Sequence, residues 1–321
     1  MRTVAAGLAL LLGMIEPVVA QSYPNRSITM IVPLAAGATA DIMARAIGNE
    51  VSKAFGQSVV IDNRPGAGGT IAMSQVARAA PDGYTIAVMS QGTHVFNLGL
   101  FPKLDYDPLK DFAPITIGGA VSNVLIVHPG NPAATVRDVI AAAKAKPGEL
   151  TYSSGGNGTS HHISGVLFQQ LTGSQLIHVP YRATPAGIAA VMQGEVAMGF
   201  FNTPTVVAQI KDAKLKPLGV TSLQRSPHLP QLPTLDEAGV KGYEMITWLG
   251  FAAPAGTPAA IVERWHAEIA KAMREPALRE RLVTMGFDLM EQMPPAAFAQ
   301  FIRADAEKWV PIVKGSGATV D

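Results

Sequence analysis

The sequence contains no cysteine, so neither a disulfide nor a thiolate metal site is part of its chemistry. Charge is scarce as well: Asp, Glu, Lys and Arg together make up 15% of the chain, and the formal net charge is +1. Without a long Lys/Arg tract the chain has no basic stripe for nucleic acid. Enzyme signatures are missing too. There is no G-x-S-x-G elbow, no P-loop, and no G-x-G-x-x-G after the first strand-like run. No H-E-x-x-H pair occurs. The adjacent His161 and His162 would point about 100° apart on a helix, so with His178 they make no zinc set. Ser160 sits beside His161 but lacks a carboxylate to orient that base.

What the chain does have is apolar mass and alternating pattern. Its 321 residues are 48% hydrophobic, enough for two α/β domains. At the N-terminus, Arg2 precedes an apolar run over residues 4–15. Pro17 and the small-residue signature Val18-Val19-Ala20 follow. This is the pattern of an export leader over residues 1–20, with Gln21 as the mature start and an exported protein as the product. The apolar run is too short for an ordinary membrane span, and no later segment reaches that length without charge or proline.

Two loops stand out. The first, Pro33-Leu34-Ala35-Ala36-Gly37-Ala38-Thr39-Ala40-Asp41, links a strand-like run (28–32) to a helical one (40–55). The second, residues 153–160, links a strand at 150–152 to a helix at 162–171 and carries Ser154, Asn157, Gly158, Thr159 and Ser160. A helix start presents unpaired N–H groups and partial positive charge, so each loop can hold an anion without a basic side chain. Asp41 is expected to cap its own helix.

Further strands are expected at 58–62, 85–89, 175–179 and 196–201, alternating with helices, which indicates βαβ units and largely parallel sheets. Ligands on such sheets sit at the carboxyl ends of the strands, where the segment Ser90-Gln91-Gly92-Thr93-His94 also emerges. Residues 115–127 read as a strand crossing out of a first lobe, and 215–221 as the return. The outcome is an α/β clamshell of two lobes joined by two crossover strands. Lobe 1 takes residues 21–122 and 226–321, and lobe 2 takes residues 123–225. Tyr181 and Trp248 are expected to face the cleft as platforms for an apolar ligand body.

In the order and spacing of its motifs the chain resembles the Bug-type extracytoplasmic receptors of tripartite tricarboxylate transporters. The matching segments include Val32-Pro33-Leu34-Ala35-Ala36-Gly37 and Asp62-Asn63-Arg64-Pro65-Gly66-Ala67-Gly68-Gly69. Others are Ala80-Pro81-Asp82-Gly83-Tyr84-Thr85, Gly158-Thr159-Ser160, His178-Val179-Pro180-Tyr181 and Ala253-Pro254-Ala255-Gly256-Thr257-Pro258. The resemblance implies a periplasmic-binding fold of the type II kind that closes on a small carboxylate. It also implies delivery to the transporter's membrane subunits, without chemistry on the ligand or any cofactor or metal, and with no nucleic acid involved. A monomer is expected.

The family's binding loops carry over onto Leu34, Ala35, Ala38, Thr39 and Asp41; onto Ser90, Thr93 and His94; and onto Ser154 to His162, Tyr181 and Asn202. The chain departs from the family pattern at Ala38 (usually glycine), at Ala40 with Thr39 one place early, at Arg182-Ala183, and at Ala197 in place of a frequent aspartate. The ligand these departures suggest is a mono- or dicarboxylate with an apolar body, a terephthalate-like diacid among them. Two other readings stand beside this one: a periplasmic sensor that passes its closed state to a signalling partner, and a hydrolase using Ser160 or a neighbouring serine.

Overall fold

The computed structural model describes residues 23–315 and Ala318; the leader expected over residues 1–20 lies outside the described residues. Ile28–Val32 forms β1, Thr39–Phe55 α1 and Val59–Asn63 β2. Thr70–Ala77 forms α2, Thr85–Ser90 β3 and the single turn Asn97–Leu100 α3. A wide helical turn, Gly92–Phe96, joins β3 to α3. β1 lies between β2 and β3, all parallel. The alternation explains this: Ile28, Met30 and Val32 pack on Met43, Ile47 and Val51 of α1, while Ile31 of β1 and Ala87 and Met89 of β3 face the opposite layer.

The chain leaves this lobe through β4, Phe112–Val127. Its first part, to Ser122, pairs with a late strand, and from Asn123 onward it pairs with strands of the second lobe. Two register shifts, at Pro114/Thr116 and Ile117/Gly119, bend it. Gly118 is needed at that bend, because a Cβ there would stand 2.5 Å from Met43 Sδ.

Lobe 2 follows. Val136–Ala145 is α4, opened by a capping box in which Thr135 Oγ1 accepts from Asp138 N and Asp138 Oδ2 accepts from Thr135 N. Next come β5 (Thr151–Ser154), α5 (Ser160–Thr172), β6 (Ile177–Pro180) and α6 (Thr184–Met192). They are followed by β7 (Met198–Asn202), α7 (Thr203–Lys211) and β8 (Lys216–Val220). β5 runs parallel to both β6 and β7. Val124, Ile126 and Phe201 close the core of this lobe against Ile188 and Val206.

The return differs from expectation. Residues 215–221 do not cross between lobes: β8 pairs with the Val124–Val127 end of β4. The chain then stays with lobe 2 through a Val220–Thr234 bridge and a Met245 N bond to Thr221 O. Crossing happens at residues 245–246, which open β9, Ile246–Pro254. β9 inserts antiparallel between β3 and β4. Helices α8 (Ala259–Ala272), α9 (Pro276–Thr284) and α10 (Pro295–Gly315) then cover the first lobe. The result is the two-lobe α/β clamshell, with a mixed sheet running through both lobes. Among the described residues no helix is long and apolar enough to cross a membrane.

Candidate functional site

The starts of α1 and α5 meet between the lobes. In α1 the first intrahelical bond is Ile42 N to Ala38 O, so the N–H groups of Thr39, Ala40 and Asp41 precede it. In α5 the first is Ile163 N to Thr159 O, while Thr159 Oγ1 accepts from His162 N. The N–H groups of Ser160 and His161 therefore precede that helix's bonding. Between the two helix starts lies a partly enclosed cavity of about 30 Å³, walled by Leu34, Thr39, Ser90, Thr93, Gly158, Thr159, Ser160 and Asn202. All eight are residues expected from the sequence.

Ala40, Gly92 and His161, which lie within the expected loops, also wall it, and four residues outside those loops join them: Gly68, Val121, Thr247 and Leu249. Thr247 is 6% exposed and its Oγ1, buried at the cavity, has no hydrogen-bond partner. Asp, Glu, Lys and Arg are all absent from the wall among the described residues. A buried, unsatisfied hydroxyl beside two helix starts suits an anionic ligand group.

The second lobe holds its wall rigidly. Asn202, closing β7, donates from Nδ2 to Asn123 Oδ1 and to Ser160 Oγ (3.2 Å). Its Oδ1 accepts from Thr39 Oγ1 (3.0 Å) and faces His161 Nε2 (3.0 Å). Gly155 N donates to His161 Nδ1, so Nε2 carries the imidazole proton. Asn123 in turn donates to Ser160 O (3.2 Å) and Ser164 Oγ (2.8 Å). Both ring nitrogens of His161 are thus engaged away from Ser160 Oγ, and these two residues do not form a nucleophile–base pair. Burial lowers the His161 pKa to about 4, against the opposing hydrogen bond to Asn202.

A second, open space of about 690 Å³ adjoins the cavity and shares Leu34, Gly68 and Thr159 with it. Asn157, Tyr181 and Arg182 stand on its wall. The lobes nearly touch around it: a Cβ on Gly92 would lie 2.9 Å from Gly158 O, and one on Gly158, at φ +78°, 2.7 Å from Asn97 Oδ1.

Six expected residues lie elsewhere. Trp248 is a correction: β9 alternates, so Thr247 and Leu249 face the cavity while Trp248 packs behind on Phe298 and Phe301. His94 is fully buried, its Nδ1 2.9 Å from Thr93 Oγ1 and its ring against Phe112; burial lowers its pKa to about 3. Ser154 Oγ turns away to His178 Nε2, 2.7 Å off. Ala38 N bonds back to Ala35 O, so these two shape the first loop without walling the cavity. Asp41 accepts from Gly37 N (2.9 Å) and Arg45 Nε (3.0 Å). Burial raises the Asp41 pKa, but those bonds outweigh it and hold the carboxyl below its usual value. It ties the preceding loop to the first turn of α1 from within the helix, whereas the expected helix cap is not formed: the residue at the cap position is Ala38.

Fold and cavity together define a two-lobed clamshell of the binding-protein class with a cavity between its lobes. Residues 43–318 match the family described as "Tripartite tricarboxylate transporter family receptor", and the chain belongs to that family. It is similar to BugT of Bordetella pertussis, 32% identical over 307 residues, covering 95% of this chain and 94% of that protein. Among solved structures it is similar to R. palustris Rpa4515 with adipate, with 34% identity and a TM-score of 0.89 over 93% of this chain and 100% of that one. It is also similar to MatC from Rhodopseudomonas palustris with bound malate, with 31% identity and a TM-score of 0.86 over 91% and 100% of the two chains.

Proposed function

We propose that this chain is a periplasmic receptor that captures a small organic mono- or dicarboxylate and presents it to the membrane subunits of a tripartite tricarboxylate transporter. The observation that carries this reading is the cavity between the starts of α1 and α5, which offers amides, hydroxyls and the unpartnered Thr247 Oγ1, and no charged side chain. About 30 Å³ accommodates a carboxylate group and little more. The ligand's body then extends past Leu34 and Gly68 into the open cleft. There Tyr181 offers an apolar face, and Arg182 a cation for a distal acid. Adipate on one relative and malate on another support the ligand class. An aromatic diacid of the terephthalate kind fits the same division between cavity and cleft.

Export by a leader over residues 1–20, a monomeric state and the absence of catalysis belong to this proposal. So do the lobes, 21–122 with 226–321 and 123–225. Pairing of Ser122 with Ile246 and of Asn123 with Asn202 supports the first boundary. The bonds from Leu235 and Met245 back to Val220 and Thr221 favour moving the second from residue 226 to about Ile246.

The test is a thermal-shift panel of aliphatic and aromatic mono-, di- and tricarboxylates. A ligand binding the folded state alone raises the melting temperature with RT ln(1 + [L]/Kd). Shifts confined to acids with a compact terminal carboxylate support the proposal. A panel without shifts, or one answering to neutral sugars or amines, overturns it.

A further inference from the structure

Two residues interrupt the cavity wall in sequence without belonging to it. Gln91 lies between Ser90 and Gly92, and Trp248 between Thr247 and Leu249. Both side chains turn to the back of the first lobe's sheet and end on one atom. Trp248 Nε1 donates to Asp305 Oδ2 at 2.7 Å, and Gln91 Nε2 donates to the same oxygen at 2.9 Å. Gln91 is 1% exposed and Trp248 3%.

We infer that Asp305, on α10, is a positioning residue of the ligand site, acting through Gln91 and Trp248 on the two wall segments that flank them. The inference rests on the receptor reading above. Ser90 and Leu249 are cross-strand partners, so the two tethered segments are neighbours in the sheet, and a single carboxylate oxygen pins both. Gln91 Oε1 is buried without a partner, so the bond to Asp305 is what fixes the amide's direction. Because side chains alternate along β9, a backbone shift that follows loss of the Trp248 tether moves Thr247 and Leu249 with it. Packing alone does not call for an acid here. Trp248 already rests on Phe298 and Phe301 of the same helix; what the half-buried carboxylate adds is a shared acceptor for two buried donors.

The experiment compares Asp305→Ala, Asp305→Asn and Ile302→Ala, the last removing a buried apolar side chain from the same helix. Affinity for the tightest-binding of adipate, malate and terephthalate is measured by calorimetry alongside the melting temperature. The ligand-free Trp248 indole N–H resonance, assigned with Trp248→Phe, is recorded in each variant. Loss of the acceptor in Asp305→Ala weakens affinity by about tenfold or more and moves the indole resonance upfield. Asp305→Asn, whose amide oxygen accepts both bonds, recovers most of each effect. Ile302→Ala lowers the melting temperature and leaves affinity unchanged. Wild-type affinity in Asp305→Ala overturns the inference, as does an equal loss in Ile302→Ala. If the wild-type protein binds none of the three acids while the indole resonance still answers to residue 305, the tether is real but the receptor reading fails, and the positioning role falls with it.

Discussion

Thr39 Oγ1, at the start of α1 in one lobe, donates to Asn202 Oδ1, at the end of β7 in the other, across 3.0 Å. Both residues wall the inner cavity, so on the proposed reading the bond that joins the lobes lies on the surface that would meet the ligand. A ligand that favours closure gains from this bond, since only differential affinity for the closed state shifts the populations.

Thr39→Val removes the donor while keeping the shape. Affinity for the best carboxylate should fall about five- to tenfold, the value of one neutral hydrogen bond. Thr39→Ser should restore it. Calorimetry on the three proteins checks this, with melting temperatures expected to differ little because Thr39 bonds to the second lobe and not within its own helix.

Asn123→Ala acts on stability. Its side chain accepts from Asn202 and donates to Ser160 O and Ser164 Oγ, all within the buried second lobe. Removing it strands several buried polar groups and should cost about 2–4 kcal/mol in denaturant unfolding. A loss under about 0.5 kcal/mol would mean that this network does not hold the lobe.

Gly92→Ala tests closure by steric means. The added Cβ would press against Gly158 O of the other lobe at 2.9 Å. The variant should fold with near-normal stability, bind carboxylate at least about tenfold more weakly, and show no ligand-induced compaction in solution scattering. Unaltered affinity would place the closed contact elsewhere.

Acid should destabilise the protein in a defined window. Burial lowers the pKa of His161 and His162 to about 4 and that of His94 to about 3, against about 6.5 in the unfolded chain. Below pH 6.5 the unfolded state therefore binds more protons than the folded one. The stabilisation is complete above that pH and is lost as pH falls toward 4. By pH 5 each buried imidazole has cost about 2 kcal/mol. Melting curves at pH 7.5, 6 and 5 check the direction. Replacing His94 with a neutral isostere such as Gln should flatten the slope.

Much of this was legible in the chain. The two small-residue loops declare themselves because an apolar run followed by small residues and then a helical period is a local signal, and the helices expected from residues 40 and 162 begin at Thr39 and Ser160. The misread return crossover shows what local pattern omits: residues 215–221 are strand-like, but which sheet a strand joins depends on partners remote in sequence, here Val124–Val127. Trp248 fails for a related reason. Strand alternation fixes that Trp248 and its neighbours face opposite ways, and only the packing of α10 decides which way is the cavity. The same parity hid Thr247. His161 was visible as chemistry and set aside as a metal or catalytic group, whereas its role, orienting Asn202, appears only once β7 lies beside α5.

The most direct test is a crystal structure of the protein with the tightest-binding carboxylate of the panel. The account predicts one carboxylate group in the inner cavity, within about 3 Å of amides at the starts of both α1 and α5 and of Thr247 Oγ1, with the body passing Leu34 toward Tyr181 and Arg182. A ligand held in the open cleft alone, with its carboxylate on Arg182 and no contact to either helix start, would contradict it.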